Sequence, residues 1–220
     1  MNAPMHFALD EYKVSKINYT AQSLSCDVTD IEHGITESFE LDLNGLYQTK
    51  NLCAVICAEG ILMQHGFTIK NTDEKKALKN VKALTGLYGR WDVISESPAI
   101  ILDVAHNEDG IKQLLQQITV VSRESSVLNM IIGMVKDKDV TKVLSILPKN
   151  AKYYFSNAHI IRAMPHEELK EKAAQYGLNG DSFDDVNMAL KAAKELAAAD
   201  DIIVVCGSVF LVAEVDVSLL

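Results

Sequence analysis

The sequence predicts an α/β fold, a mostly parallel sheet with helices on both faces, and three observations predict it. After Arg90, short apolar runs alternate with amphipathic stretches of helical length, the rhythm of βαβ units. Within that region, residues 100–118 show the unit most clearly. An apolar run ends at Asp103, a polar turn follows, and Ile111, Leu114, Leu115 and Ile118 then recur on one helical face. Before Arg90 the pattern differs, and the stretch Thr85-Gly86-Leu87-Tyr88-Gly89-Arg90 separates the two parts. Two glycines this close mark a hinge or a domain boundary.

Taken in order, the first part reads as strands at Tyr12 to Tyr19, Ser23 to Val28 and Glu37 to Leu43. Each alternates polar and apolar residues, with Asp30 to Gly34 as a turn, and such close spacing suits antiparallel pairing. A helix is expected from about Tyr47 to His65, stopped by Gly66. A second is expected from Thr72 to Leu84, with Thr72 as its N-cap. Beyond the hinge, strands are expected at Trp91 to Ser95, Ala99 to Asp103, Val127 to Ile132, Lys152 to Ser156 and Ile202 to Cys206. Helices are expected at Glu108 to Val121, Asp139 to Leu147, Pro165 to Tyr176 and Asp184 to Ala199. Pro165 suits the first turn of its helix, Gly177 the end, and Asp184 an N-cap.

The bulk numbers bound the function. With 220 residues, 48% of them hydrophobic, the chain forms one large or two small domains with a sizeable core. No apolar run is long enough to span a membrane, and no basic segment leads into an apolar one at the start as in a secretory signal. A net charge of −9 argues against binding nucleic acid through a broad basic surface. Cys26, Cys53, Cys57 and Cys206 are scattered and read as reduced, packed thiols of a cytoplasmic protein. Cys53 and Cys57 share a helix face, but no further ligand pair completes a zinc set. His6, His33, His65, His159 and His166 have no partner at metal-ligand spacing, so no metal is assigned.

Several nucleotide signatures are missing. No glycine is followed directly by lysine, which removes the phosphate-binding loop G-x-x-x-x-G-K-[ST]. No G-x-G-x-x-G, H-E-x-x-H or G-x-S-x-G occurs either.

Five segments nevertheless occur in a specific order: Asn44-Gly45-Leu46-Tyr47-Gln48-Thr49-Lys50-Asn51, Gly89-Arg90, Asp103-Val104-Ala105-His106-Asn107, Lys136-Asp137-Lys138-Asp139, and Gly207-Ser208-Val209-Phe210-Leu211-Val212. The ordered set resembles the C-terminal half of folylpolyglutamate synthase/dihydrofolate synthase, of the Mur ligase family, from about residue 35 onward. The resemblance implies a Rossmann-like C-terminal glutamate ligase domain over residues 89–220. It implies a small β/α remnant of the ATPase domain over residues 1–88. The chain is then expected to be part of a longer enzyme, inactive alone, whose phosphate loop and magnesium ligands lie in a missing N-terminal ATPase portion. Two prolines frequent in the family are replaced here, by Tyr88 before the Gly-Arg pair and by Glu108 after the His-Asn pair.

By that resemblance the parent enzyme uses ATP and Mg to phosphorylate a pteroate or folate carboxylate, and the amine of L-glutamate attacks the acyl phosphate. Arg90 is expected to reach the nucleotide phosphates, where a guanidinium fork suits better than an ammonium. Asp103 either accepts from ribose hydroxyls or caps a helix. His106 and Asn107 either orient glutamate or the acyl phosphate, or serve as a turn histidine and an N-cap. Ser208 lies near the incoming glutamate, as an N-cap, or both. Gln48 and Asn51 lie near the nucleotide base or simply give a helix a polar surface. Lys136 and Lys138 carry a weak vote for function, and Arg162 resembles a family arginine of unclear duty. Two other readings stand beside this one: a non-catalytic Rossmann-like binding module, and a Mur-type ligase for another amino acid. The absence of Asp-Asn-Pro-Arg speaks against a cell-wall ligase.

Overall fold

The computed structural model describes residues 4–137 and 140–219. The chain divides after Leu87 into two compact units.

The first unit runs α1 (Ala8–Glu11), β1 (Tyr12–Tyr19), β2 (Leu24–Asp30), β3 (Thr36–Leu41), α2 (Gln48–Gln64), α3 (Asn71–Leu78) and α4 (Val81–Thr85). The three strands form an antiparallel sheet in the order β1-β2-β3. Alternation decides its buried face. Leu24, Cys26 and Val28 of β2 point to one side with Phe39 and Leu41 of β3, and Leu52 and Cys53 of α2 cover them. The expected helix over 72–84 is two helices instead. The Asn80 side chain turns back to the Lys76 carbonyl at 2.8 Å and ends the first. The Asp42 carboxylate, from beyond β3, then accepts the Lys82 N–H at 2.8 Å and starts the second. Thr72 is inside the first of these helices, and Lys70 holds the cap position. The four-residue α1 is too short for periodicity to reveal.

The second unit runs β4 (Asp92–Glu96), β5 (Ala99–Leu102), α5 (Glu108–Val121), β6 (Leu128–Ile132), α6 (Thr141–Ile146), β7 (Lys152–Phe155), α7 (His166–Ala174), β8 (Gly180–Ser182), α8 (Val186–Leu196), β9 (Ile202–Cys206) and α9 (Val209–Ala213). Its sheet has the order β4-β5-β9-β6-β7-β8. All neighbours are parallel except the β4–β5 hairpin. This is the expected α/β architecture, with three local differences. Asp185, not Asp184, caps α8, accepting the Asn187 and Met188 N–H groups at 2.7 and 3.0 Å. Pro165 stands one residue before α7, at its cap position. The short strand β8 carries the polar residues Gly-Asp-Ser, which give no apolar signal. Asp139, the expected start of the helix seen from Thr141, and Lys138 lie outside the described residues.

The parallel strands are apolar throughout because both faces are covered. Ile101, Met130, Ile132, Tyr153, Phe155, Val204 and Cys206 pack with Ile111, Leu114, Val143, Leu144, Leu169 and Ala173 of α5, α6 and α7. Their strand neighbours Ile100, Leu102, Ile131, Tyr154, Ile203 and Val205 face the other way, against Val186, Ala189, Leu190 and Ala193 of α8 and Leu211 of α9. The chain thus runs from β5 to β8 with every crossover on one face. It returns through α8 on the opposite face and inserts β9 between β5 and β6. The loops that follow β5 and β9 leave these adjacent strands toward opposite faces. That divergence is a topological switch point, where an α/β sheet opens a crevice at its carboxyl edge.

Candidate functional site at the carboxyl edge of the sheet

Four of the expected residues stand on the loops at this crevice, and backbone hydrogen bonds tie those loops into one knot. The Asp103 N–H continues the ladder to Val205 O at 3.0 Å, and the Val104 N–H reaches back to Gly89 O at 2.9 Å. The Gly207 N–H donates to Ala105 O at 2.8 Å, joining the loop after β9 to the loop after β5. Gly133 N donates to Cys206 O at 3.3 Å and Ser156 N to Ile132 O at 2.9 Å, so the loops after β6 and β7 share the arrangement. Gly207 makes this closeness possible. Its φ is +100°, and a Cβ there would stand 2.5 Å from the Gly133 carbonyl oxygen.

Asp103 is the brace of the knot. It is 3% exposed. One carboxylate oxygen accepts the Trp91 N–H at 3.0 Å and the other the Ala105 N–H at 2.8 Å. Trp91 is held at a φ of +57°, rare for a residue with a side chain. The neighbouring Asp92, buried as well, accepts the Gly89 N–H. Two carboxylates therefore clamp both sides of Arg90. The Arg90 guanidinium, on a half-buried residue, has no hydrogen bond or ion pair among the described residues. An unpaired guanidinium on an over-determined turn suits a phosphate group.

His106 is half-buried, and its Nδ1 lies 2.9 Å from Val104 O. A carbonyl only accepts, so Nδ1 carries the proton. In the neutral ring Nε2 is then an open acceptor. Asn107 is exposed and caps α5, its Oδ1 accepting from the Gly110 N–H at 2.8 Å. Glu108 and Asp109 occupy the first turn of the same helix. They favour the positive end of its dipole and repel a second anion there. Ser208 is 6% exposed, and its Oγ accepts the Phe210 N–H at 3.2 Å to cap α9.

The other expected residues fall elsewhere. Gln48 and Asn51 belong to the first unit, where Gln48 is buried and accepts the Asn51 side-chain N–H at 2.7 Å. Lys136, after β6, is exposed, and its N–H donates to Arg162 O at 2.8 Å. Arg162 pairs with Asp137 at 2.6 Å. Asp92 and Ser156 belong to the crevice and escape sequence reasoning. Ser156 follows β7 directly, with its Oγ buried and without a hydrogen-bond partner among the described residues. Nothing in the pattern around either residue distinguishes it from ordinary turn polarity. Among the described residues, the second unit holds no converging set of three His, Cys, Asp or Glu ligands for a metal.

Fold and site together define an α/β ligand-binding domain whose polar loops converge at a sheet switch point. Residues 89–209 match the family model described as Mur ligase, glutamate ligase domain, and the chain belongs to the Mur ligase family. Within it, the chain is similar to the dihydrofolate synthase/folylpolyglutamate synthase of Escherichia coli K12. The two are 32% identical over 184 residues, 83% of this chain and 40% of the relative. A solved structure described as E. coli FolC in complex with DHPP and ADP superposes with a TM-score of 0.70 at 28% identity, covering 92% of this chain and 44% of that one. The fold also matches, with a TM-score of 0.71 at 23% identity, a bifunctional folylpolyglutamate synthase/dihydrofolate synthase from Yersinia pestis complexed with AMPPNP and Mn ion. That match covers 95% of this chain and 46% of the other. The chain spans less than half the length of these relatives. No helix among the described residues is long and apolar enough to cross a membrane.

Proposed function

We propose that this chain is the glutamate-ligase portion of a cytoplasmic, ATP-dependent ligase that joins L-glutamate to dihydropteroate or a folate through an acyl phosphate. The observation that carries the reading is the knot itself: Arg90, Asp103, His106, Asn107 and Ser208 all stem from backbone tied together across the β5 and β9 loops. The family match and the folate and nucleotide complexes of its relatives support it. ATP, when bound, supplies the phosphoryl group that activates the carboxylate. Arg90 holds anionic phosphate oxygens against a second anion, the electrostatic problem of any acyl phosphate synthesis. Asp103 fixes the turn that presents Arg90 and is assigned by resemblance to the ribose hydroxyls. The open Nε2 of His106 accepts a hydrogen bond from the glutamate ammonium and takes its proton, since only the free amine is nucleophilic. Asn107 and the Ser208 hydroxyl position the amino acid close to the acyl carbon. Gln48 and Asn51 belong to the first unit, which we read as part of a Mur-type ATPase domain, and are assigned to the nucleotide base by resemblance alone. Magnesium is assigned to residues of the parent enzyme outside this chain.

The chain is expected to show no ATP hydrolysis by itself. Joined to the ATPase portion of the E. coli relative, it is expected to release phosphate only when L-glutamate and dihydropteroate or folate are present. His106→Ala and Arg90→Ala should remove that release without unfolding the second unit. Glutamate-independent release, or full activity in both variants, refutes the assignment and favours a binding module.

A further inference from the structure

A cluster of ligating side chains in the first unit stands apart from everything the ligase reading uses. His6, Glu11 and Cys57 converge there, their donor atoms all within 4.8 Å of one another. His6 Nδ1 lies 3.0 Å from one Glu11 oxygen, and the Cys57 thiol donates to the other at 3.5 Å. We propose that these three residues bind a borderline-soft divalent transition metal of the zinc class, with one coordination position left to water.

The donor set selects the metal. Imidazole, carboxylate and thiolate together are the ligands zinc takes, whereas magnesium and calcium require oxygen. Bonds of about 2.0–2.3 Å to a tetrahedral ion set donors roughly 3.3–3.6 Å apart, so the two Glu11 contacts need shift only by tenths of an ångström, and the remaining separation, within 4.8 Å, closes by side-chain adjustment. Charge fits too. Burial, then the Glu11 carboxylate, holds the Cys57 thiol above its usual range, so it is protonated while the cluster is empty. A dication reverses that balance: the thiol proton passes to solvent, the imidazole proton moves to Nε2, and thiolate plus carboxylate neutralise the ion.

The surrounding segment supplies an independent reason. Met5, Phe7 and Leu9 are 76%, 61% and 57% exposed. Apolar burial holds this stretch only through Ala8 and Tyr12, which are packed against the core of the first unit; the polar contacts of His6 and Glu11 supply the rest. A metal would clip it to α2, across the 46 residues that separate Glu11 from Cys57. That separation is why ligand spacing in the sequence conceals the cluster.

The test uses the full chain after chelation. Titration with Zn2+ against a chromogenic chelator should show one tight site, and Co2+ should produce a thiolate-to-cobalt charge-transfer band. His6→Ala should weaken zinc binding by about tenfold or more, since even outer partners of a ligand carry that much. Cys57→Ser should abolish the cobalt band, whereas Cys53→Ser, one turn away, should keep it. Unchanged circular dichroism of the variants in chelator separates lost binding from lost folding. No cobalt–thiolate band in the parent chain, a band that survives Cys57→Ser, or equal zinc affinity in all variants overturns the proposal. None of these readouts depends on ligase activity.

Discussion

Asp103→Ala removes the acceptor of two buried N–H groups, those of Trp91 and Ala105. A hydrogen bond to a charged group contributes about 1.5–3 kcal/mol, so the pair sets a loss of about 3–6 kcal/mol. Trp91 is released at the same time from its φ of +57°, a conformation that costs about 1–2 kcal/mol. The expected net loss is therefore about 3 kcal/mol, a large part of the ~5–15 kcal/mol that stabilises a domain. Asp103→Asn keeps one acceptor oxygen and turns an amide N–H toward the other donor, so it should fall between. Urea unfolding followed by Trp91 emission measures this directly. Trp91 is the only tryptophan of the chain and is 2% exposed at the braced turn. Circular dichroism in parallel reports the whole chain. A stability for Asp103→Ala within about 0.5 kcal/mol of the parent would refute the brace, since changes that small belong to surface positions away from such features. It would also show that the Arg90 turn is held by something else.

Other perturbations probe the same physics. Gly207→Ala places a methyl 2.5 Å from the Gly133 oxygen in a left-handed backbone, so it should destabilise the second unit by about 3 kcal/mol or more, read as a lower urea midpoint. Asn107→Ala should cost about 0.5–2 kcal/mol through the lost α5 cap, and Asn107→Asp should restore it. Activity of the joined enzyme that returns with Asp means Asn107 acts only as a cap; activity that stays low means it also touches substrate. Glu74 in the first unit is pushed up to about 7, by burial first and then by a hydrogen bond to Glu59. Folding therefore binds a proton between the ordinary carboxylate range and that value, so this group's contribution falls as pH rises through the window. Urea midpoints from pH 4.5 to 7.5 should lose part of that slope in Glu74→Gln, and an unchanged slope would count against the buried carboxyl.

Much of the fold was legible because burial leaves a period in the chain. In β9 all five residues are buried, and in α5 the apolar positions recur on one stripe. Those patterns identify a covered parallel strand and an amphipathic helix with no other information. Legibility ended where a distant group makes the decision. The break at Lys79–Asn80 depends on Asp42, and Asp42 lies 40 residues from the N–H it caps. The strand β8 is polar, and it exists because Gly180 lets its backbone lie against Tyr153, where a Cβ would meet the carbonyl oxygen at 1.9 Å. Composition carries neither fact.

The site shows the same division at finer scale. Position at strand ends and helix starts singled out Asp103, His106, Asn107 and Ser208, but their roles as more than caps and a turn histidine came only from the resemblance. Their contacts were not legible, and the contacts assign the work. Asp103 and Asn107 carry short polar side chains of the same size, one a carboxylate and one an amide. One is sealed within the knot by two N–H groups, and the other caps a helix in solvent. The difference follows from the sheet order: β9 inserted beside β5 buries the first residue of the loop and leaves the fifth exposed. Arg90 gains its place from carboxylates on either side of it in space, Asp92 and Asp103, of which only the first is near in sequence. The two buried carboxylates are spent on the backbone N–H groups that flank Arg90, and its guanidinium has no hydrogen bond or ion pair among the described residues. Because Asp103 holds the turn that carries Arg90, substitution of Asp103 should also weaken the phosphate contact proposed for Arg90, even where the protein still folds.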